Sequence, residues 1–330
     1  MSLRPFGLVV CVTAFATLSQ AQQYKAPLAS DGHPDLQGFW ANNNATPLQR
    51  PQELANHPVL TDQEVKAMRQ KAEEMFTGKV DAAFGDQIFL TTWANVKGLK
   101  IGFTSTDGET GDYSSEWNDH RVWDYRTSLI TDPPDGRMPP LTDRAKKLQE
   151  EQRIARRRPA QGPEDRSLGE RCLTRGSPTI QAGYQSYFQI VQTPAAVMIM
   201  TEMFHDVRII SLDNRPHVPA AVHEWMGDSR GRWEGDTLVV DTTNYRPLAF
   251  QSISSEKLHI TERFRRQDAE TIRYEITVND PDTWITPWSL MIPLQRSAQP
   301  VYEYACHEGN IGLAGILAGA RADEARASSK

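Results

Sequence analysis

Four of the histidines in the β-rich half of the chain are His205, His217, His223 and His307. Acidic residues stand directly beside three of them, as Asp206, Glu224 and Glu308. Histidine changes charge near neutrality, so such neighbours suit general acid–base work. A metal site needs three or four ligands converging at characteristic spacing. These spacings match no zinc pattern and the chain has no HExxH, so neither a metal nor another cofactor is expected. Hydrogen bonding within turns is the other use of such residues. The favoured centre is Glu202, His205, Asp206 and Arg208, at the break between two apolar runs, 196–204 and 207–212. Strand ends at a barrel rim are where a ligand meets polar groups. With His307, these five are the candidate catalytic residues. A polar hairpin tip in water is the competing reading.

Two further patterns bear on chemistry. Gly227-Asp228-Ser229-Arg230-Gly231 matches G-x-S-x-G, the nucleophile elbow of serine hydrolases. An elbow needs a strand before the serine and a helix after it, whereas a strand pattern over 237–243 follows here. A turn feeding a hairpin explains the string too. A serine hydrolase acting through Ser229 stays an alternative function. Glu262 shares a face with Leu258, Ile260 and Phe264, so the period of two sends it to the apolar side. A buried carboxylate is costly unless paired, and Arg273 or Arg296 as partner would make it structural. Asp107-Gly108-Glu109 with Asp112 lacks full calcium-loop spacing and reads as a polar turn. Asn44-Ala45-Thr46 is a glycosylation sequon, relevant in a eukaryotic host. Trp225, Trp233, Trp284, Trp288, Tyr302 and Tyr304 are core residues or the lining of a ligand cavity.

The elements that position these residues are β-rich. Tyr187 to Gln192, 196–204, 207–212, 231–233, 237–243, 258–264, 272–278, 284–294 and 301–305 are strand-length apolar or alternating runs separated by short turn signals. Thr61-Asp62-Gln63-Glu64 is a capping box before apolar residues at helical spacing, which predicts a helix over 62–76. Thr142 or Asp143 caps a second helix to about residue 157, and a small-residue helix follows over 311–321. Asp132-Pro133-Pro134-Asp135-Gly136 predicts a hairpin between 128–131 and 138–141. Residues 80–125 give no clear pattern. No repeat of 20–50 residues is visible, which disfavours a propeller or solenoid.

The amino terminus carries Arg4, an apolar stretch over 6–18 and Ser19-Gln20-Ala21, the three zones of a cleavable secretory signal. The stretch is short for a bilayer span, which needs roughly 20 residues. Cys11 leaves with the signal. Cys172 and Cys306 then form an even pair in an oxidising compartment, and a bond between them is expected. The formal net charge is −6, which gives no general attraction for phosphate backbones, so nucleic acid is not an expected partner. Nor is stable membrane insertion after cleavage.

Several strings resemble a family of secreted, mostly bacterial proteins without an assigned activity. They are 34–40 (PDLQGFW), 167–172 (SLGERC), 225–240 (WMGDSRGRWEGDTLVV) and 302–310 (YEYACHEGN). The resemblance runs across nearly the whole chain beyond the signal and implies export, with no site residues to carry over. A looser likeness, in overall pattern, is to barrel-shaped secreted pericyclases of fungal meroterpenoid pathways. Gly38-Phe39-Trp40 at the first strand is also similar to the opening of lipocalin barrels, where the indole plugs one end.

The expected fold is mainly β (α+β): an antiparallel meander closing into a lipocalin-like (calycin) β-barrel. An N-terminal helical and irregular extension precedes it and a short C-terminal helix ends it. The expected divisions are a signal at 1–21, an arm with helices and first strands at 22–170, and the barrel body at 171–330, with 22–330 forming one compact domain. The expected function is an exported, periplasmic or secreted protein with an apolar cavity for a small hydrophobic or aromatic molecule. As an enzyme it would be a cofactor-free lyase, isomerase or cyclase on a hydrophobic or polycyclic metabolite. The first alternative is a lipocalin-like binding protein without catalysis.

Overall fold

The computed structural model describes residues 24–76, 85–99, 121–180 and 186–329. Residues 1–21, read above as a signal, and Phe103, Trp117 and the stretch from Asp107 to Asp112 lie outside these residues. In chain order the strands are β1 Gly38–Ala41, β2 Ile130–Asp132, β3 Tyr187–Gln192, β4 Ala196–Thr201 and β5 Val207–Ser211. They continue as β6 Asp228–Glu234, β7 Thr237–Thr243, β8 His259–Arg266, β9 Thr271–Asn279 and β10 Trp288–Ser297. The helices are α1 Asp62–Met75, α2 Gln87–Val96, α3 Asp143–Ala155 and α4 Ile311–Ser328.

Nine strands close a barrel in the order β1-β3-β4-β5-β6-β7-β8-β9-β10, because β1 pairs with both β3 and β10. The alternation seen in the sequence dictates what fills it. On β8, Ile260, Glu262 and Phe264 point inward, and on β9 Ile272, Tyr274, Ile276 and Val278 do the same. Each fully buried aliphatic or aromatic side chain contributes roughly 1.5–3 kcal/mol. Trp40 is fully buried, its Nε1–H donating to the Leu36 carbonyl at 2.9 Å. The guanidiniums of Arg296 and Arg266 lie 4.8 and 5.2 Å from its ring, sealing that end. A second cluster outside the barrel packs Val65 and Met68 of α1 against Phe89 and Trp93 of α2 and against Trp123. Its helix α1 starts at the expected capping box, with Thr61 and Glu64 each satisfying the other's backbone N–H.

Three sequence expectations are corrected. The barrel is mixed, not a pure meander: β5 and β6 run parallel, joined by a 16-residue connection, 212–227, that returns the chain to the same end. The turn at 132–136 does not close a hairpin. Its flanks are claimed by other partners: β2 pairs with β10, Met138 N–H donates to Gln49 Oε1, and Arg50 N–H donates to the Gly136 carbonyl. Residues 301–305 form no strand, because their backbone docks on the β4–β5 turn rather than on a sheet edge.

Cys172 and Cys306 are disulfide-bonded across 134 positions of sequence. Closing so long a loop is worth about 4–5 kcal/mol in the chain-entropy treatment. Among the described residues no helix is long and apolar enough to cross a membrane.

Candidate functional site

The β5–β6 seam is the weak point of the barrel. Antiparallel neighbours elsewhere pair along most of their length, but in this ladder only Ser211 and Arg230 face one another. They approach there because Gly231 has no side chain: a Cβ would stand 2.7 Å from Ile210 Cγ2 and from Leu212 Cδ2. Towards the start of both strands the edges diverge. The opening is a groove of about 440 Å³ lined by Leu173, Thr174, Asp206 to Ile209 and Glu224 to Ser229.

The groove pairs apolar surface with a desolvated acid. Val207 and Ile209 point outward from β5 and are 46% and 66% exposed, while Leu173 is 38% exposed. Asp206 sits at the turn that starts β5 and accepts the Thr174 hydroxyl at 2.6 Å. Burial raises its carboxyl above the ordinary range, against the Thr174 hydroxyl and the Arg175 N–H that favour the charged form. The far wall is the connection from β5, which carries Glu224, Trp225 and Met226. It is pinned by Asn244 Nδ2, which donates to the Val222 and Pro219 carbonyls at 2.9 and 3.1 Å. His217 pins it as well, with Nδ1 2.7 Å from Asp228 and Nε2 3.0 Å from Asp241. Asp241 also receives His259 at 2.5 Å. That contact raises the His259 pKa and, from the other side, lowers that of Asp241.

Behind the groove lies the barrel interior, and Arg208 and Met226 line both. The expected ligand-sized cavity is not open there. Phe188, Phe264, Tyr274 and the 176–179 segment leave about 20 Å³, room for about one water. The interior polar centre is Arg208, Glu262 and Tyr274. Both Arg208 amino groups donate to Glu262, one at 2.8 Å, and the Tyr274 hydroxyl donates to it at 2.5 Å. All three side chains are buried. Burial and the Glu262 charge push the Tyr274 hydroxyl far up, so it stays a donor. Burial works against the Arg208 charge, but Glu262 outweighs it and holds the guanidinium protonated. Glu262 is therefore paired as a structural acid should be, but by Arg208 across the barrel and not by Arg273 or Arg296.

No protein-family model, curated protein or solved structure matches this chain. The site rests on its own geometry.

The five candidate residues divide accordingly. Asp206 lies in the groove and Arg208 behind it. Glu202 and His205 meet the C-terminal segment instead: Glu202 Oε2 accepts the Tyr302 N–H at 3.0 Å, and His205 Nδ1 lies 3.2 Å from the Tyr304 nitrogen. The same Nδ1 lies 3.1 Å from the Glu202 carbonyl. One tautomer serves only one of the two, donating to the carbonyl or accepting the N–H. Phe204 packs on Tyr304, their rings 5.1 Å apart, and the disulfide follows at Cys306. His307 is exposed beyond it. His223 bonds the Tyr245 carbonyl at 3.2 Å. The histidines are thus dispersed, and no group among the described residues is arranged to hold a metal.

Ser229 lies within β6, buried on the groove wall, its hydroxyl 3.0 Å from Thr242 Oγ1. The glycines around it have backbone reasons: Gly227 has φ +67°, and Gly231 permits the β5 approach. The sequon Asn44 is buried with Nδ2 on Asp124, so its amide is not presented to solvent. Val207 and Ile209 were missed in the sequence. The signal was there as an inverted strand, with a charge on the inward face and aliphatics on the outward one.

Proposed function

We propose that this is an exported protein that takes a small, largely apolar molecule in the groove at the β5–β6 seam. As an enzyme it performs cofactor-free proton transfer of the lyase, isomerase or cyclase kind, with Asp206 as the acid–base group. The observation that carries this is the conjunction at one opening of exposed Val207, Ile209 and Leu173 with the desolvated Asp206 carboxyl. Pockets that bind small molecules are mostly apolar with a few placed polar groups, and a carboxyl shifted toward neutrality suits proton transfer. The disulfide and the signal-like amino terminus support export.

A binding protein without catalysis is the second reading. It is favoured by the commitment of Asp206 to Thr174 Oγ1, which also serves the local fold.

The test is fluorescence titration with N-phenyl-1-naphthylamine, an uncharged apolar probe. Wild-type protein should bind it saturably. Ile209→Glu should weaken binding by roughly 10-fold or more, the loss of one buried aliphatic contact, with the melting temperature held. Absence of saturable binding, or binding indifferent to Ile209→Glu, refutes the groove. Asp206→Asn that keeps probe binding but abolishes turnover of a co-purified ligand separates the enzyme from the binding protein.

A further inference from the structure

Trp225 lines two concavities. One is the seam groove, and the other is a larger cleft of about 600 Å³ between the end of α3, residues 164–171 and the 247–252 loop. The chain from 164 to 174 walls the cleft first and the groove next, so the two adjoin along one segment.

The cleft's cations are unevenly committed. Arg166 is held by Glu170, which also accepts the Ser167 N–H at 2.9 Å. Arg156 and Arg171 have no carboxylate partner among the described residues, and Arg171 is half-buried. Arg246, outside the cleft lining, lies 5.2 Å from the Trp225 ring centre. The opposing acids are Glu164 and Asp165. Both are exposed, and Asp165 accepts the Gln161 N–H at 2.8 Å. A guanidinium without a carboxylate partner keeps its planar fork available, and that fork matches a carboxylate or sulfonate.

Resting on the groove reading above, the geometry points to an amphipathic ligand. Its apolar body lies in the seam groove and its single anionic head lies past Trp225 on Arg171 and Arg156. Trp225 is then the ridge the ligand crosses, offering an apolar face to the body next to the cations that receive the head. The class is a long-chain or polycyclic acid, not the neutral hydrocarbon.

The test uses 11-(dansylamino)undecanoic acid and its methyl ester, identical except for the charge of the head. Wild-type protein should bind both, the acid about 10-fold or more tightly, one hydrogen-bonded charge pair's worth of discrimination. Arg156→Gln with Arg171→Gln should bring the acid down to the level of the ester and leave the ester unchanged. Arg171→Lys should keep part of the advantage, because the charge remains. Should Arg171→Gln unfold the chain, Arg156→Gln alone, on an exposed residue, should still lower the ratio. Equal binding of acid and ester by wild-type protein, or an advantage that survives the double substitution, overturns the inference and leaves the groove standing. If neither probe binds, the groove reading falls and this one with it.

Discussion

The arc from β6 to β10 and the seam between β5 and β6 are built from the same kind of sequence but do opposite things. Along the arc each strand pairs with the next over most of its length, and on β8 and β9 burial alternates along the strand. There the alternation works as a rule of construction, and the carboxylate it sends inward at Glu262 is met by Arg208 from β5. At the seam two strands touch at one residue pair, aliphatics face outward, and an acid is left half-desolvated at the opening. A closed sheet hides its backbone and apolar surface completely. Where closure lapses, the exposed surface becomes available to a ligand, so the least regular stretch of the barrel is where a function is sought.

The contrast can be broken most severely from the arc side. Glu262→Gln leaves the Arg208 charge buried without its counter-ion and should destabilise the fold by about 3–5 kcal/mol, read by denaturant unfolding. Ile209→Ser at the seam should fall within about 0.5 kcal/mol of wild type. Comparable losses at the two positions would erase the distinction.

Cys306→Ser comes next, with a loss of about 2–5 kcal/mol, the chain-entropy value being its upper end. The C-terminal segment held by Glu202 and the His205 turn should become protease-sensitive while the arc keeps its slow unfolding. Concerted loss of the whole barrel in limited proteolysis would show that the clasp and the barrel are one unit.

The smallest effect is pH dependence at the connection's anchor. The His259 pKa is raised by Asp241, so its share of stability is full below about 6.5 and is lost as pH rises through the folded value. The Asp241 pKa is lowered, so its share is full above about 3.8 and is lost as pH falls through its folded value. The pair therefore helps most between about pH 4 and 6.5. Because both groups are partly exposed, the gain is under about 1 kcal/mol. Wild-type protein should lose more stability than His259→Gln between pH 5.5 and pH 9. Parallel pH profiles would dismiss the contact as a surface ornament.

Much of the fold was legible in the residues. Tyr187 to Gln192 and Thr237 to Thr243 are strands at the expected positions, α1 begins at its capping box, and Cys172 joins Cys306. The alternation on 258–264 correctly turned Glu262 inward. Its partner was illegible because pairing across a barrel depends on which strands oppose each other, not on local pattern. The break at His205-Asp206 was visible, but its use was not. The turn that follows β4 carries Phe204 and His205 at φ +65° and +51°, which aims His205 at the C-terminal segment while Asp206 stays at the groove. The parallel β5–β6 pairing was hidden too, because nothing in 212–227 marks where a long connection lands.

The central claim is that the seam is both the barrel's open edge and its ligand site. Hydrogen–deuterium exchange of the free protein and of the protein saturated with N-phenyl-1-naphthylamine tests both halves at once. In the free protein, amides of 207–210 and 226–229 should exchange well ahead of those in β7, β8 and β9. On adding the probe, peptides over 205–211 and 222–230 should slow, and those of β8 and β9 should not change. Seam amides as protected as the arc in the free protein, or probe protection confined to some other face, would contradict the account.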